Sequence, residues 1–156
     1  MPRVWLAQPH EADAVSRLML AFRDHLGLSG PTDDEMRGGV ERLLTDADTE
    51  FLLAAPADGA APAGVAQLRF RYGVWRAGGD CLLEDLFVDE AARGAGLGRA
   101  LVEATLDRAR ARGCRRVELD ANERNDAALR LYDGFGFSAT ANQYGGRDLY
   151  LRLHLD

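Results

Sequence analysis

Residues 82–106, LLEDLFVDEAARGAGLGRALVEATL, set three glycines at alternate positions, Gly94, Gly96 and Gly98, between an apolar strand-like run and a helix-like segment. A helix start leaves about four backbone N–H groups without intrahelical partners, and the helix dipole adds partial positive charge there. Glycine lets the backbone adopt positive φ and approach a ligand with no Cβ in between. The junction therefore predicts a strand, a turn and a helix whose amino terminus seats a phosphate or pyrophosphate. Arg93 and Arg99 flank it and can add charged hydrogen bonds. Spacing excludes the two common nucleotide loops. A P-loop ends in Gly-Lys-Ser/Thr, and this chain contains no lysine. The dinucleotide fingerprint is G-x-G-x-x-G after an early strand, whereas here the series is G-x-G-x-G, well past mid-chain.

Hydrophobic periodicity organises the rest. Strands are expected at 3–8, 50–55, 64–75, 81–89 and 115–122, and two closing strands at 137–144 and 148–155. In the long third strand, Val65, Gln67, Arg69 and Arg71 point one way and Ala66, Leu68, Phe70 and Tyr72 the other. Helices are expected in 10–27, in 31–47 with Thr32 or Asp33 as cap, from Leu97 to Arg112, and, within 125–137, a short one that starts at an Asn125 cap and breaks at Gly134 and Gly136. That order is α+β: α/β/α layers around a central mixed, mostly antiparallel sheet of about seven strands with about four helices.

At 156 residues the chain suits one domain, 1–156, with a core of its own. No run approaches the ~18 apolar residues of a membrane span, and the amino terminus turns polar too soon for a secretory signal, so the expected compartment is the cytoplasm. A formal charge of -6 disfavours nucleic acid as a partner and suits a cationic small molecule better. Cys81 and Cys114 read as small buried hydrophobes, and with His10, His25 and His154 scattered, no metal site is expected.

Arg93-Gly94-Ala95-Gly96-Leu97-Gly98 resembles the acyl-CoA pyrophosphate loop, R/Q-x-x-G-x-G/A, of the GNAT superfamily of N-acetyltransferases. The resemblance extends to LEDLFVD before the loop and NERNDAALRLYDGFGF after it, and the element order agrees from residue 3 to 155. It implies an enzyme that moves an acetyl group from acetyl-CoA to a primary amine, with no metal. The acceptor could be a polyamine, an amino acid, an aminoglycoside or a peptide amine. Residues 93–99 would hold the pyrophosphate. The strand around Leu86, Phe87 and Val88 would open from its neighbour near a bulge, pairing with the pantetheine arm and offering an N–H to the oxyanion. Dimers are common in such families, and no interface is readable in this sequence.

Acyl transfer from a thioester needs a base for the amine and an acid for the leaving thiolate. Glu84 and Asp85 are neighbours on one strand, so only one faces a given cleft. Strict alternation puts Glu84 with Leu82, Leu86 and Val88, an apolar setting that raises a carboxyl pKa toward what a base requires. The resemblance also favours Glu84 as base, with Asp85 second. The competing reading is a structural carboxylate tied to Arg69 or Arg71. Tyr132 is the acid that the resemblance implies, against a core aromatic packed with Leu129, Phe135 and Phe137. Asn125 caps its helix and, by resemblance, also contacts CoA. A non-catalytic acyl-CoA sensor of the same fold is the alternative function; the presence of both Glu84 and Tyr132 favours the enzyme.

Overall fold

The structure, a computed structural model, describes residues 1–155; Asp156, the last residue of the expected domain, lies outside the described residues. It divides into two compact units, Met1–Glu118 and a smaller one that begins at Leu119.

The larger unit runs β1 (Arg3–Leu6), a 3-10 turn at Pro9–Glu11, α1 (Ala12–His25), α2 (Asp33–Leu44), β2 (Thr49–Ala55), β3 (Gly64–Gly73), β4 (Gly78–Val88) and α3 (Leu97–Ala111) into β5 (Cys114–Leu119). Sheet order follows chain order, β1-β2-β3-β4-β5, and the first three pairings are antiparallel. β4 and β5 are joined by the α3 crossover, the connection that parallel neighbours require. The sheet is therefore mixed and mostly antiparallel, as expected. Thr32, not Asp33, caps α2: its hydroxyl accepts from the Glu35 N–H at 3.2 Å and its own N–H donates to Glu35 at 3.0 Å, the reciprocal pair that satisfies two orphan donors.

Register assigns the two faces of this sheet. Val65, Gln67 and Arg69 lie opposite Leu53, Phe51 and Thr49 on one side and opposite Phe87, Asp85 and Leu82 on the other. This face meets α1 and α2, where Val15, Leu18, Val40, Phe51, Leu53, Val65 and Phe87 form one buried cluster. The opposite face carries Leu52, Ala54, Ala66, Leu68, Cys81 and Leu83 and is covered by α3 through Leu97, Leu101, Val102 and Ala109. A Cβ on Gly64 would stand 3.2 Å from the Leu101 side chain, which shows how closely α3 lies on the sheet.

In the second unit, Asn125 caps α4 (Asp126–Gly134), its side-chain oxygen accepting from the Ala128 N–H at 3.2 Å. The two closing strands expected at 137–144 and 148–155 are absent among the described residues, leaving five strands rather than about seven. Local side-chain bonds replace a ladder. Ser138 bonds Thr140, Asn142 accepts from the Tyr144 and Gly145 N–H groups, and Gly145 and Gly146 take positive φ. Leu149, Leu151, Leu153 and Leu155 alternate as a strand would, but all are exposed, so their alternation has no buried face to serve.

Candidate active site

The β3–β4 pairing slips between Gln67 and Leu68: Gln67 faces Asp85, Leu68 faces Leu83, and Glu84 faces neither. Glu84 is the extra residue of a β-bulge, which re-aims a side chain locally. The consequence overturns the neighbourhood expected for it. Leu86 and Val88 pair with Ala66 and Gly64 on the α3 face, whereas Glu84 turns to the α1/α2 face with Gln67, Arg69 and Asp85. Strict alternation fails by one residue because the bulge inserts one. The expected apolar setting is replaced by a polar one.

There the carboxylate is held asymmetrically. Gln67 is 5% exposed and donates from Nε2 to Glu84 Oε2 at 2.7 Å; Arg69 approaches the same oxygen at 3.4 Å. Oε1 has no hydrogen-bond partner among the described residues. Of the two structural partners weighed from sequence, Arg69 is the one present, while Arg71 reaches Glu118 at 3.4 Å. No motif marks Gln67 as a site residue. Its signal was a polar residue on the core-facing side of an apolar strand.

Downstream, Phe87 is buried and stacks on Phe22, ring centroids 5.1 Å apart. β5 is six residues long and begins beside Gly79, where a Cβ would meet the Cys114 sulfur at 3.1 Å.

The glycine junction then turns the chain into α3. Gly94 and Gly96 adopt φ of 83° and 82°, and Gly96 is the α3 cap. The first intrahelical bond is Ala100 N–H to Gly96 O, so the N–H groups of Leu97, Gly98 and Arg99 precede the helical ladder. No atom lies within 4 Å of a Cβ built on Gly94, and only Pro2 Cγ, at 3.8 Å, near one on Gly96. Leu97 is buried and anchors the turn, while Ala95 is exposed. Arg93 folds back, donating Nε to Val88 O at 3.1 Å, and Arg99 pairs with Glu103 at 3.2 Å. The donor set fits an anion.

In the second unit, Tyr132 is half-buried and meets Phe137 edge-on with centroids 6.0 Å apart. Burial, and then the Asp120 charge, push its phenol above the ordinary value. Leu129 is exposed. The thiols are poor nucleophiles: burial pushes Cys81 up to about 12 and raises Cys114 as well. A recess of about 220 Å3 lined by Leu6, Gln8, Leu44, Thr49, Glu50 and Arg112 contains none of the expected site residues. No group of three or more metal-ligating side chains occurs among the described residues.

Comparison with known proteins identifies the family. The model of the Acetyltransferase (GNAT) family matches residues 17–137. The chain belongs to that family, as its glycine loop leads one to expect. It is 32% identical to a candidate acetyltransferase from Arthrobacter sp. FB24 whose crystal structure superposes with a TM-score of 0.85 over 99% of this chain and 96% of that one. It is 35% identical to glucosamine 6-phosphate N-acetyltransferase 1 of Oryza sativa subsp. japonica over 70% of this chain and 68% of that protein. A mycothiol acetyltransferase of Beutenbergia cavernae is 50% identical over 62 residues, 38% of this chain. The chain matches only 21% of that protein's length.

Proposed function

We propose that the protein transfers an acetyl group from acetyl-CoA to a primary amine by direct attack in a ternary complex. The observation that carries this reading is Glu84, turned out of register by the bulge and held by one carboxylate oxygen with the other open. The named acetyltransferases among its relatives support the reaction class. The family match spans the boundary between the two units, which supports reading them as one functional domain. No helix among the described residues is long and apolar enough to cross a membrane, and a cytoplasmic acetyl-CoA pool suits such an enzyme.

The pyrophosphate of acetyl-CoA would rest on the N–H groups that open α3, with Arg93 and Arg99 beside it and the pantetheine arm along Leu86, Phe87 and Val88. Asn125 caps α4 and would add a contact to the same ligand. The amine nitrogen attacks the thioester carbonyl carbon and gives its proton to Glu84 Oε1, directly or through water. A backbone N–H of the 86–88 segment stabilises the oxyanion. As the C–S bond breaks, Tyr132 protonates the departing sulfur, and solvent returns the proton from Glu84 to the phenolate. The products are an amide and free CoA.

Release of CoA thiol across polyamines, aminoglycosides, amino acids, amino phosphates and peptide amino termini tests this. Turnover on one class, reduced about a hundredfold or more in Glu84→Gln with acetyl-CoA binding retained, is expected. Acetyl-CoA binding with no turnover on any amine would instead make the protein a sensor.

A further inference from the structure

The geometry points to an acceptor that carries a carboxylate or phosphate within a few bonds of its reacting amine, with Arg69 as the residue that binds the anion. The inference rests on Glu84 being the base proposed above, and it narrows the acceptor class that the reaction leaves open.

Arg69 and Glu84 extend from neighbouring strands onto one sheet face, and their side chains are 41% and 40% exposed. Their contact is long, NH1 to Oε2 at 3.4 Å, and goes to the oxygen that Gln67 already occupies. A guanidinium presents five N–H donors in a planar fork. The remaining donors of Arg69 have no hydrogen-bond partner among the described residues. Asp46 feels the Arg69 charge, but its own oxygens accept from the Asp48 N–H and the Thr49 hydroxyl. Arg71, two residues on, is paired with Glu118. The open groups are thus one carboxylate oxygen and one guanidinium edge, side by side.

That pairing is complementary to a zwitterion. An α-amino acid, or an amine separated from a phosphate by two carbons, holds its nitrogen and its anion two to five bonds apart. One such molecule can set the nitrogen at Glu84 Oε1 and the anion on the Arg69 fork. The guanidinium charge also favours the neutral, nucleophilic form of the amine beside it. A polyamine would bring a second cation toward Arg69, and the backbone of a peptide amino terminus offers no anion at that distance. The net charge of -6 suggests a cationic acceptor; Arg69, a cation beside the base, argues the reverse locally.

Matched amines that differ only in the anion test the assignment: an α-amino acid against its carboxamide, and 2-aminoethyl phosphate against 2-aminoethanol, with spermidine as the polycation. In the wild type the anionic member of at least one pair is expected to have a kcat/KM about tenfold or more higher, the scale of a charge-assisted contact. Arg69→Gln should bring that ratio close to one, and Arg69→Lys should keep part of it as a charge without the fork. Binding of acetyl-CoA to each variant, by calorimetry, reports that it is folded. Equal or reversed ratios in the wild type overturn the inference and leave the catalytic reading intact. So does a ratio that persists in Arg69→Gln. Absence of turnover on every amine, with acetyl-CoA bound, overturns both.

Discussion

Gln67 Nε2 donates to Glu84 Oε2 at 2.7 Å, across the bulge that takes Glu84 out of register with β3. A neutral donor buried in the strand beside a partly exposed carboxylate fixes its rotamer and leaves Oε1 to the acceptor. Gln67→Leu keeps the volume roughly and removes the donor. It is expected to lower kcat about tenfold while acetyl-CoA KM changes by less than about threefold, because misorientation of a base acts on the chemical step. Gln67→Glu should in addition move the acidic limb of kcat/KM to higher pH, since two carboxylates at that distance share a proton. Wild-type kcat in Gln67→Leu would reduce Gln67 to core packing.

Gly98 offers a cleaner probe of the anion seat than Gly96. Gly96 caps α3 at φ 82°, so Gly96→Val strains the backbone by about 1–2 kcal/mol and confuses binding with folding. Gly98 lies in the first turn of α3. Gly98→Ala gains helix propensity, up to about 1 kcal/mol, and adds a methyl in the turn proposed to seat the pyrophosphate. Thermal unfolding at or above the wild-type temperature, with weaker acetyl-CoA binding by titration, is the expected combination. Unchanged affinity would remove the pyrophosphate from this turn.

Periodicity read the sheet well where the chain is regular. The alternation of residues 65–72 gives both faces of β3 correctly, and Asn125 caps α4 as its position before the apolar run implies. The bulge was not readable as geometry, because one inserted residue leaves LLEDLFV looking like an ordinary strand while exchanging the faces of everything after Glu84. The motif singles out Glu84 as a residue, whereas its neighbours, and its bond to Gln67 above all, follow only from the register. The carboxyl-terminal strands failed for the opposite reason. Alternation in 149–155 is real, but a strand needs a partner and a buried face, and neither is written in the segment itself.

Tyr132 gives a pH dependence with a definite direction. Burial first, and the Asp120 charge second, hold its phenol above the ordinary value of about 10. A raised value keeps the acid protonated through neutrality, so any basic limb due to Tyr132 lies above about pH 10. Tyr132→Phe is expected to cut kcat by about tenfold or more while acetyl-CoA affinity stays within about threefold. A limb near about pH 8 that vanishes in Tyr132→Phe would contradict this assignment.

Glu50 ties the last turn of α3 to the start of β2. Its side chain is 9% exposed; Arg108 donates from Nε and NH2 to its two oxygens, each at 2.7 Å, and Arg112 adds a third bond at 3.2 Å. Arg112 is itself fixed, donating to Ala47 O at 2.9 Å and lying 4.0 Å from the Phe70 ring centroid. Burial alone would raise the Glu50 carboxyl, but the bonds and charges of the two arginines outweigh it and hold it below its ordinary value. A carboxyl depressed on folding contributes stability that is complete above its unfolded value, about 4.3, and is lost as pH falls through the folded one. Glu50→Leu takes the carboxylate from both guanidinium groups, of which Arg112 keeps Asp48 at 3.7 Å. Breaking a buried pair costs about 3–5 kcal/mol, and because both arginines reach solvent the expected loss is nearer about 2 kcal/mol. Thermal unfolding of the wild type and of Glu50→Leu from about pH 7 down to about pH 3 reads this directly. The gap between them should be widest at neutral pH and close in acid, since the wild type then loses by protonation what the variant never had. A gap that stays constant to the acid end would mean that packing, not charge, holds α3 to β2.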